Sequence, residues 1–303
     1  MKFNLPTFLL VFLLAFTQID CFAQLSQFNQ TMSSSVYGQP ALAGFRESPV
    51  LGWQYNNQRN AWKSSMMSIS VPTKKLGFQA AWMGDQAYGA GFNSLTIGVN
   101  KTLDVKAMKL SVALGLEGAR RTLGFGPLAF PNKLHDRFSN GDARPRAYLP
   151  QRQLAYFLSV AMDYKGLMLF ATTRGRSLAS TNGWGSSAQT NLGLGYTMTK
   201  GDWRFQALGT YTRYGSWNIG NEMIAARYRF IELGIGGQQT PGGNTRPKMQ
   251  IGAVTNRFKL SYVYLNRNDG YCVWLPEYTS HEHEISFLIS IHKKGKKADF
   301  ALL

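Results

Sequence analysis

Apolar residues recur at every second position through much of this chain, and that spacing restricts what it can fold into. In 108–118, MKLSVALGLEG, Met108, Leu110, Val112, Leu114 and Leu116 fall on one face of an extended strand. Lys109, Ser111, Ala113, Gly115 and Glu117 fall on the other. The same reading of 203–212 sets Trp203, Phe205 and Tyr211 against Arg204, Gln206 and Thr210. In 258–265, Phe258, Leu260, Tyr262 and Tyr264 oppose Lys259 and Ser261. In 284–291, Ile285, Phe287, Ile289 and Ile291 oppose Glu284, Ser286 and Ser290. A period of two is the strand signature, because successive side chains leave a pleated strand on opposite sides.

Alternation alone does not separate a soluble sandwich from a membrane barrel. The connections do. Strands are expected at about 50–58, 64–72, 75–84, 92–101, 108–118, 153–163, 166–174, 190–199, 202–212, 221–229, 231–238, 249–255, 258–266 and 283–291. The links after the second, sixth, eighth, tenth and twelfth strands are tight. The links after the fifth, seventh, ninth, eleventh and thirteenth, at 119–152, 175–189, 213–220, 239–248 and 267–282, are long. Sorting of loops by parity is the pattern of outer-membrane barrels, with short periplasmic turns and long external loops. A sandwich has no reason to produce it. The fold class expected is therefore all-β, a transmembrane antiparallel β-barrel of about fourteen strands, with twelve or sixteen as the alternatives.

Composition agrees. The chain has 19 Phe, 14 Tyr, 7 Trp and 31 Gly among 303 residues, which suits an outward apolar band with aromatic rims. Residues 1–23 read as a secretory signal, with Lys2, an apolar run from Leu5 to Phe16, and cleavage before Gln24. Beyond it no stretch is long and apolar enough for a helical span. Segment 24–49 has no alternation and is expected to plug the lumen or cover its periplasmic mouth. The barrel should occupy 50–291 and a basic tail 292–303. The destination is the outer membrane of a Gram-negative bacterium. Of two cysteines, Cys21 leaves with the signal. Cys272 alone makes no internal bridge and no cysteine-rich metal site.

Lys and Arg number 33 against 16 acidic residues, a formal charge of +17. In an exported chain that excess points to an anionic surface or an acidic partner, and no nucleic-acid motif accompanies it. Lys109, Glu117, Arg204, Lys259 and Glu284 should face the lumen, joined by Arg227 and Arg229. Paired, they close it; in a wider lumen they select anions. The long segment 119–152 carries Arg120, Arg121, Lys133, Arg137, Arg144, Arg146 and Arg152 with Phe130, Tyr148 and four prolines. It suits recognition of a protein or polysaccharide, or of lipopolysaccharide phosphates. The tail residues Lys293, Lys294, Lys296 and Lys297 are either a periplasmic docking site or a solvated run. His281 and His283 share one strand face and Glu282 and Glu284 the other. That is a polar strand entry rather than the spaced motif of a zinc site. No catalytic motif stands out and no cofactor is expected.

Gln39-Pro-Ala-Leu-Ala-Gly-Phe45 stands apart from the alternating segments. Pro40 fixes its own φ and holds Gln39 extended, Gly44 permits a turn or close approach, and Ala41 and Ala43 suit packing against a wall. Together these suit a rigid N-terminal latch or plug, the alternative being an ordinary linker with a Pro/Gly turn. AQLSQFNQ (23–30) followed by QPALAGF resembles the mature start of the PorP/SprF family of type IX secretion system membrane proteins. The family has Asn where Gln39 stands; Pro40, Ala41, Ala43 and Gly44 match. NAWKSSMMSISVP (60–72), KLGFQAAWMGDQAYG (75–89), FKLSYVYLNR (258–267) and HEISF (283–287) continue the likeness, although Leu265 replaces the usual Asp. The resemblance implies a non-enzymatic outer-membrane component of the type IX secretion system. Such a component binds secreted proteins bearing a C-terminal sorting domain, such as gliding adhesins, and associates with secretion or gliding machinery subunits. The alternative is an outer-membrane channel or small-molecule transporter.

Overall fold

The structure is a computed structural model, and it describes residues 38–58, 62–73, 76–87, 90–122, 151–175, 179–180, 188–214, 217–239, 245–267 and 280–291. Fourteen long antiparallel strands close on themselves. They are β1 (Val50–Gln58), β2 (Trp62–Val71), β3 (Gly77–Ala87), β4 (Ala90–Val105), β5 (Met108–Thr122), β6 (Gln151–Tyr164) and β7 (Leu167–Arg174), then β9 (Gln189–Lys200), β10 (Trp203–Tyr214), β11 (Trp217–Tyr228), β12 (Ile231–Gln239), β13 (Thr245–Val254), β14 (Phe258–Arg267) and β15 (Ser280–Ser290). A two-residue strand, β8 (Ala179–Ser180), pairs only with β6. Every long strand pairs with its chain neighbours, and β1 pairs with β15, Val50 opposite Ser290. Closure leaves no long edge with unpaired N–H and C=O groups, as a hydrocarbon surround requires.

All fourteen expected strands are present, and most are longer than their alternation. β4 reaches Val105 and β5 reaches Thr122. Arg120 and Arg121 therefore belong to the wall and not to a loop. Arg152 likewise lies in β6. The pattern misses these ends because polar residues near a strand terminus break the apolar alternation without breaking the hydrogen-bond ladder.

The two faces divide as the pleat demands. Met67, Ile97, Leu114, Ile224, Leu233, Ile235, Ile251 and Leu260 are large, apolar and exposed on the outer face. Gln54, Ser68, Gln79, Thr96, Ser159, Asn191 and Ser286 are polar and buried on the inner one. A soluble protein would invert this arrangement. Aromatic rings gather near the tight-turn end, where Trp203 packs on Tyr228 at 4.8 Å and on Phe205 at 5.8 Å. Near the loop ends Tyr264 hydrogen-bonds His281 at 2.6 Å and Tyr262 meets His283 at 2.7 Å. These are amphipathic side chains at the two rims of an apolar band.

The tight turns carry positive φ at Lys106 (55°), Lys165 (51°), Gly166 (87°), Gly201 (60°) and Arg229 (52°). Two consecutive left-handed residues at Lys165-Gly166 match the twist of the flanking strands. A Cβ on Gly166 would also overlap the Thr197 carbonyl oxygen. Gly166→Ala should therefore cost at least about 1–2 kcal/mol, read as a lower urea midpoint for unfolding from lipid vesicles. An unchanged midpoint would mean that the turn relaxes freely.

Candidate functional site: a plugged lumen

Two groups of buried side chains line the inside of the barrel among the described residues. One lies on β12–β15 and β1. Lys259 Nζ is 2.8 Å from Glu232 Oε1, and Gln250 Nε2 donates to the same oxygen at 2.6 Å. Glu284 accepts from Gln54 Nε2 at 3.2 Å, and Glu282 accepts from Asn56 Nδ2. Lys248, almost fully buried, feels the negative charges of both glutamates. The second group lies on β5–β7, where Glu117 and Arg174 form a buried ion pair and the Arg174 guanidinium stands 5.9 Å from the Phe157 ring centre. Buried charges persist only when paired and hydrogen-bonded. These networks tie strands of the wall together from inside, the two ion pairs each reaching across one intervening strand.

The remaining space on that second side holds the N-terminal segment. Residues Pro40–Phe45 form a short 3-10 helix, with Pro at its first position where no N–H is needed. Ala41, Leu42 and Phe45 pack with Ala113, Phe157, Ala161, Met168 and Phe170 of the inner wall. Ala43 packs with Met66, Ala81 and Met83. The polar atoms are matched as closely. Thr172 Oγ1 donates to Gln39 Oε1 at 2.8 Å, and the Ala41 N–H donates to Ser159 Oγ at 3.1 Å. Asn191 Nδ2 donates to the Gly38 carbonyl at 3.0 Å, and Thr102 Oγ1 to the Gly44 carbonyl at 2.7 Å. Gly44 is in close approach, since a Cβ there would overlap Ser111 Oγ. Pro40, Ala41, Ala43 and Gly44 thus sit inside the barrel. Gln39, where the resembled family has Asn, is one of the anchors.

Inner glycines make room for this packing. The Phe157 ring covers Gly98 and Gly115, and the Phe170 ring covers Gly193. The outer wall carries a separate, mostly apolar hollow of about 740 Å³, running from Met108 and Leu110 past Leu169 and Leu194 to Gly209 and Tyr211.

Of the charges expected in the lumen, Glu117, Lys259 and Glu284 are buried there. Arg204 and Arg227 stand opposite each other on the inner face, both half-buried. Lys109 has inward parity but is exposed at the turn end of β5. Arg229, expected among them, instead occupies the turn between β11 and β12, exposed, and its Nε donates to Asp202 at 3.0 Å, because the tight connection consumes it. His281 and His283 face outward and Glu282 inward, and no group of three His, Cys, Asp or Glu able to hold a metal occurs among the described residues. Phe130, Lys133, Arg137, Arg144, Arg146, Tyr148 and Cys272 lie outside the described residues, as do the signal and Lys293, Lys294, Lys296 and Lys297. Arg174, Glu232 and Lys248 were absent from the sequence-level candidates. Strand parity places all three inward, which is the signal that would have found them.

The overall architecture has solved counterparts. The toluene transporter TodX of Pseudomonas putida superposes with a TM-score of 0.54 at 10% identity, over 90% of this chain and 99% of that one. A mutant of the TodX monoaromatic hydrocarbon channel gives 0.50 at 8% identity, over 86% and 94%. The outer membrane protein Omp33 of Acinetobacter baumannii gives 0.48 at 6%, over 82% and 100%. This chain is an outer-membrane β-barrel. At such identities the likeness is one of fold. No family model matches the chain. No curated protein matches it either.

Proposed function

We propose that this barrel is an outer-membrane channel or small-molecule transporter held shut by its own N-terminal segment. The observation that carries this reading is the seating of Gln39–Phe45 against the inner wall by matched apolar and polar contacts. A permanent wall element needs no separate segment to fill the lumen; a gate does. The apolar hollow on the outer wall and the fold shared with a toluene transporter favour a poorly water-soluble cargo. The test is planar-bilayer recording of the purified chain. The intact protein should be silent, and a variant with the segment undocked should conduct. Steady conductance of the intact protein would overturn the gated form of the reading. Silence of both would remove the channel.

A second reading has its own support. The order of the QPALAGF segment and the four later motifs resembles the PorP/SprF pattern. The buried pairs Glu232–Lys259 and Glu117–Arg174 also bridge the wall where a solute would pass. On that reading the barrel is a binding component of the type IX secretion system, and its work is done by loops and rims on exported adhesin-like clients. Affinity purification from gently solubilised outer membrane, with mass spectrometry, separates the two. Recovery of a large exported protein with a C-terminal sorting domain, or of secretion subunits, favours this reading. Recovery of the barrel alone favours the transporter.

A further inference from the structure

Three polar side chains stand in one row on the outer wall. Asn93 of β4 is opposite Arg120 of β5, and Arg120 is opposite Arg152 of β6. All three are exposed and point away from the lumen by strand parity. Directly opposed side chains have Cβ atoms only about 5 Å apart, and like charges there repel. An anion between two guanidiniums reverses that sign, and their planar forks match the oxygens of a phosphate.

Height selects the kind of anion. Arg120 is twelve residues beyond Met108, where β5 leaves its tight turn, and Arg152 is twelve before Tyr164, where β6 enters the next. At about 3.3 Å per residue and a tilt of about 40°, that is roughly 30 Å above the periplasmic turns, just past an apolar band of about 25 Å. The row lies at the headgroup level of the outer leaflet. Beneath it the surface turns apolar at once, with Leu95, Leu116, Leu154 and Tyr156 all exposed. Between Leu95 and Leu154 sits Gly118, where an added Cβ would meet nothing within 4 Å. Donors above an apolar notch fit one molecule with a phosphate on a hydrocarbon anchor.

We propose that Asn93, Arg120 and Arg152 form a binding site for the phosphate of an outer-leaflet glycolipid, the lipid A part of lipopolysaccharide, whose acyl chains lie over Gly118. This site is independent of what the lumen carries. It does not involve the segment 123–150.

The test uses the full-length protein in detergent, titrated with bisphosphorylated lipid A and with the same lipid after dephosphorylation, and followed by native mass spectrometry. Lipid A should bind, and loss of its phosphates should weaken binding by about tenfold or more. Arg120→Gln with Arg152→Gln should produce a similar loss. Lys63→Gln, an outward charge at the loop end of β2, should have little effect. The heat-dependent gel mobility typical of a closed barrel reports folding, and Asn93→Ala, expected to weaken binding severalfold, serves if the double variant fails to fold. Equal binding by the double variant, or indifference to the lipid's phosphates, would overturn the proposal. Competition by inorganic phosphate at the same concentration as lipid A would overturn the lipid assignment. Capture of an acidic protein through these arginines, without lipid A binding, would do the same.

Discussion

Glu232→Ala should destabilise the barrel by about 3–5 kcal/mol. Glu232 and Lys259 are 2.8 Å apart, with side chains only 4% exposed on each partner. Removing the carboxylate takes from a buried ammonium on β14 the acceptor 2.8 Å away and leaves Gln250 without that oxygen. The loss reflects the buried charge left less compensated more than the strength of the pair. Replacing both partners with leucine and methionine should therefore recover most of it. A contrasting pair makes burial the deciding variable. Arg229 and Asp202 are 3.0 Å apart, but their side chains are 64% and 56% exposed. Asp202→Ala should cost less than about 1 kcal/mol. Equilibrium unfolding in urea from lipid vesicles, followed by tryptophan fluorescence, measures all three. Equal losses at the two sites would show that water reaches Glu232 and Lys259 freely, and the lumen could not then be called filled.

Gly44→Val should release the N-terminal segment from the wall while leaving the barrel closed. The substituted Cβ would overlap both Ser111 Oγ and Thr102 Oγ1, and Thr102 Oγ1 also donates to the Gly44 carbonyl. The conflict cannot be relieved locally, because Ala43 and Phe45 on either side are themselves buried against the wall. Arg46 supplies the readout. It is buried when the segment is docked and becomes a trypsin site when the segment leaves. Cleavage after Arg46 tracks the open population, so the variant should be cut roughly tenfold faster or more, with the barrel core still resistant. The same protein is the undocked form needed for bilayer recording. An unchanged cleavage rate would show that the close approach at Gly44 does not hold the segment in place.

The distribution of lumen contacts suggests how such a gate could work without loosening the wall. The segment packs on β2–β7, whereas the Glu232, Lys248 and Glu282–Glu284 network ties β12–β15 to β1. The two sets of contacts use different residues. Withdrawal of the segment would expose Phe157, Phe170 and Leu42, an apolar cost that favours the closed state.

Much of this architecture was legible in the chain because its determinants are local. Alternation at 108–118 or 258–265 follows from the pleat, whatever the strand pairs with. Loop parity follows from the chain crossing a slab and returning, so the strand order and the inward set that includes Glu117, Lys259 and Glu284 could be read without coordinates. The special backbone of Gln39–Phe45 was equally local, Pro40 fixing its own φ and Gly44 leaving room for a close approach. Tertiary structure decided the rest. Glu117 finds Arg174 across β6, and Glu232 finds Lys259 across β13, only because the register of three successive strands brings them together. Arg120 and Arg152 are wall residues rather than loop residues because ladder hydrogen bonds continue past the last apolar position. The depth at which Pro40–Phe45 docks depends on Ser159, Thr172 and Asn191, which are remote in sequence and adjacent only in the closed barrel. A period along the chain specifies which way a side chain points; what it meets there is set by strand pairing.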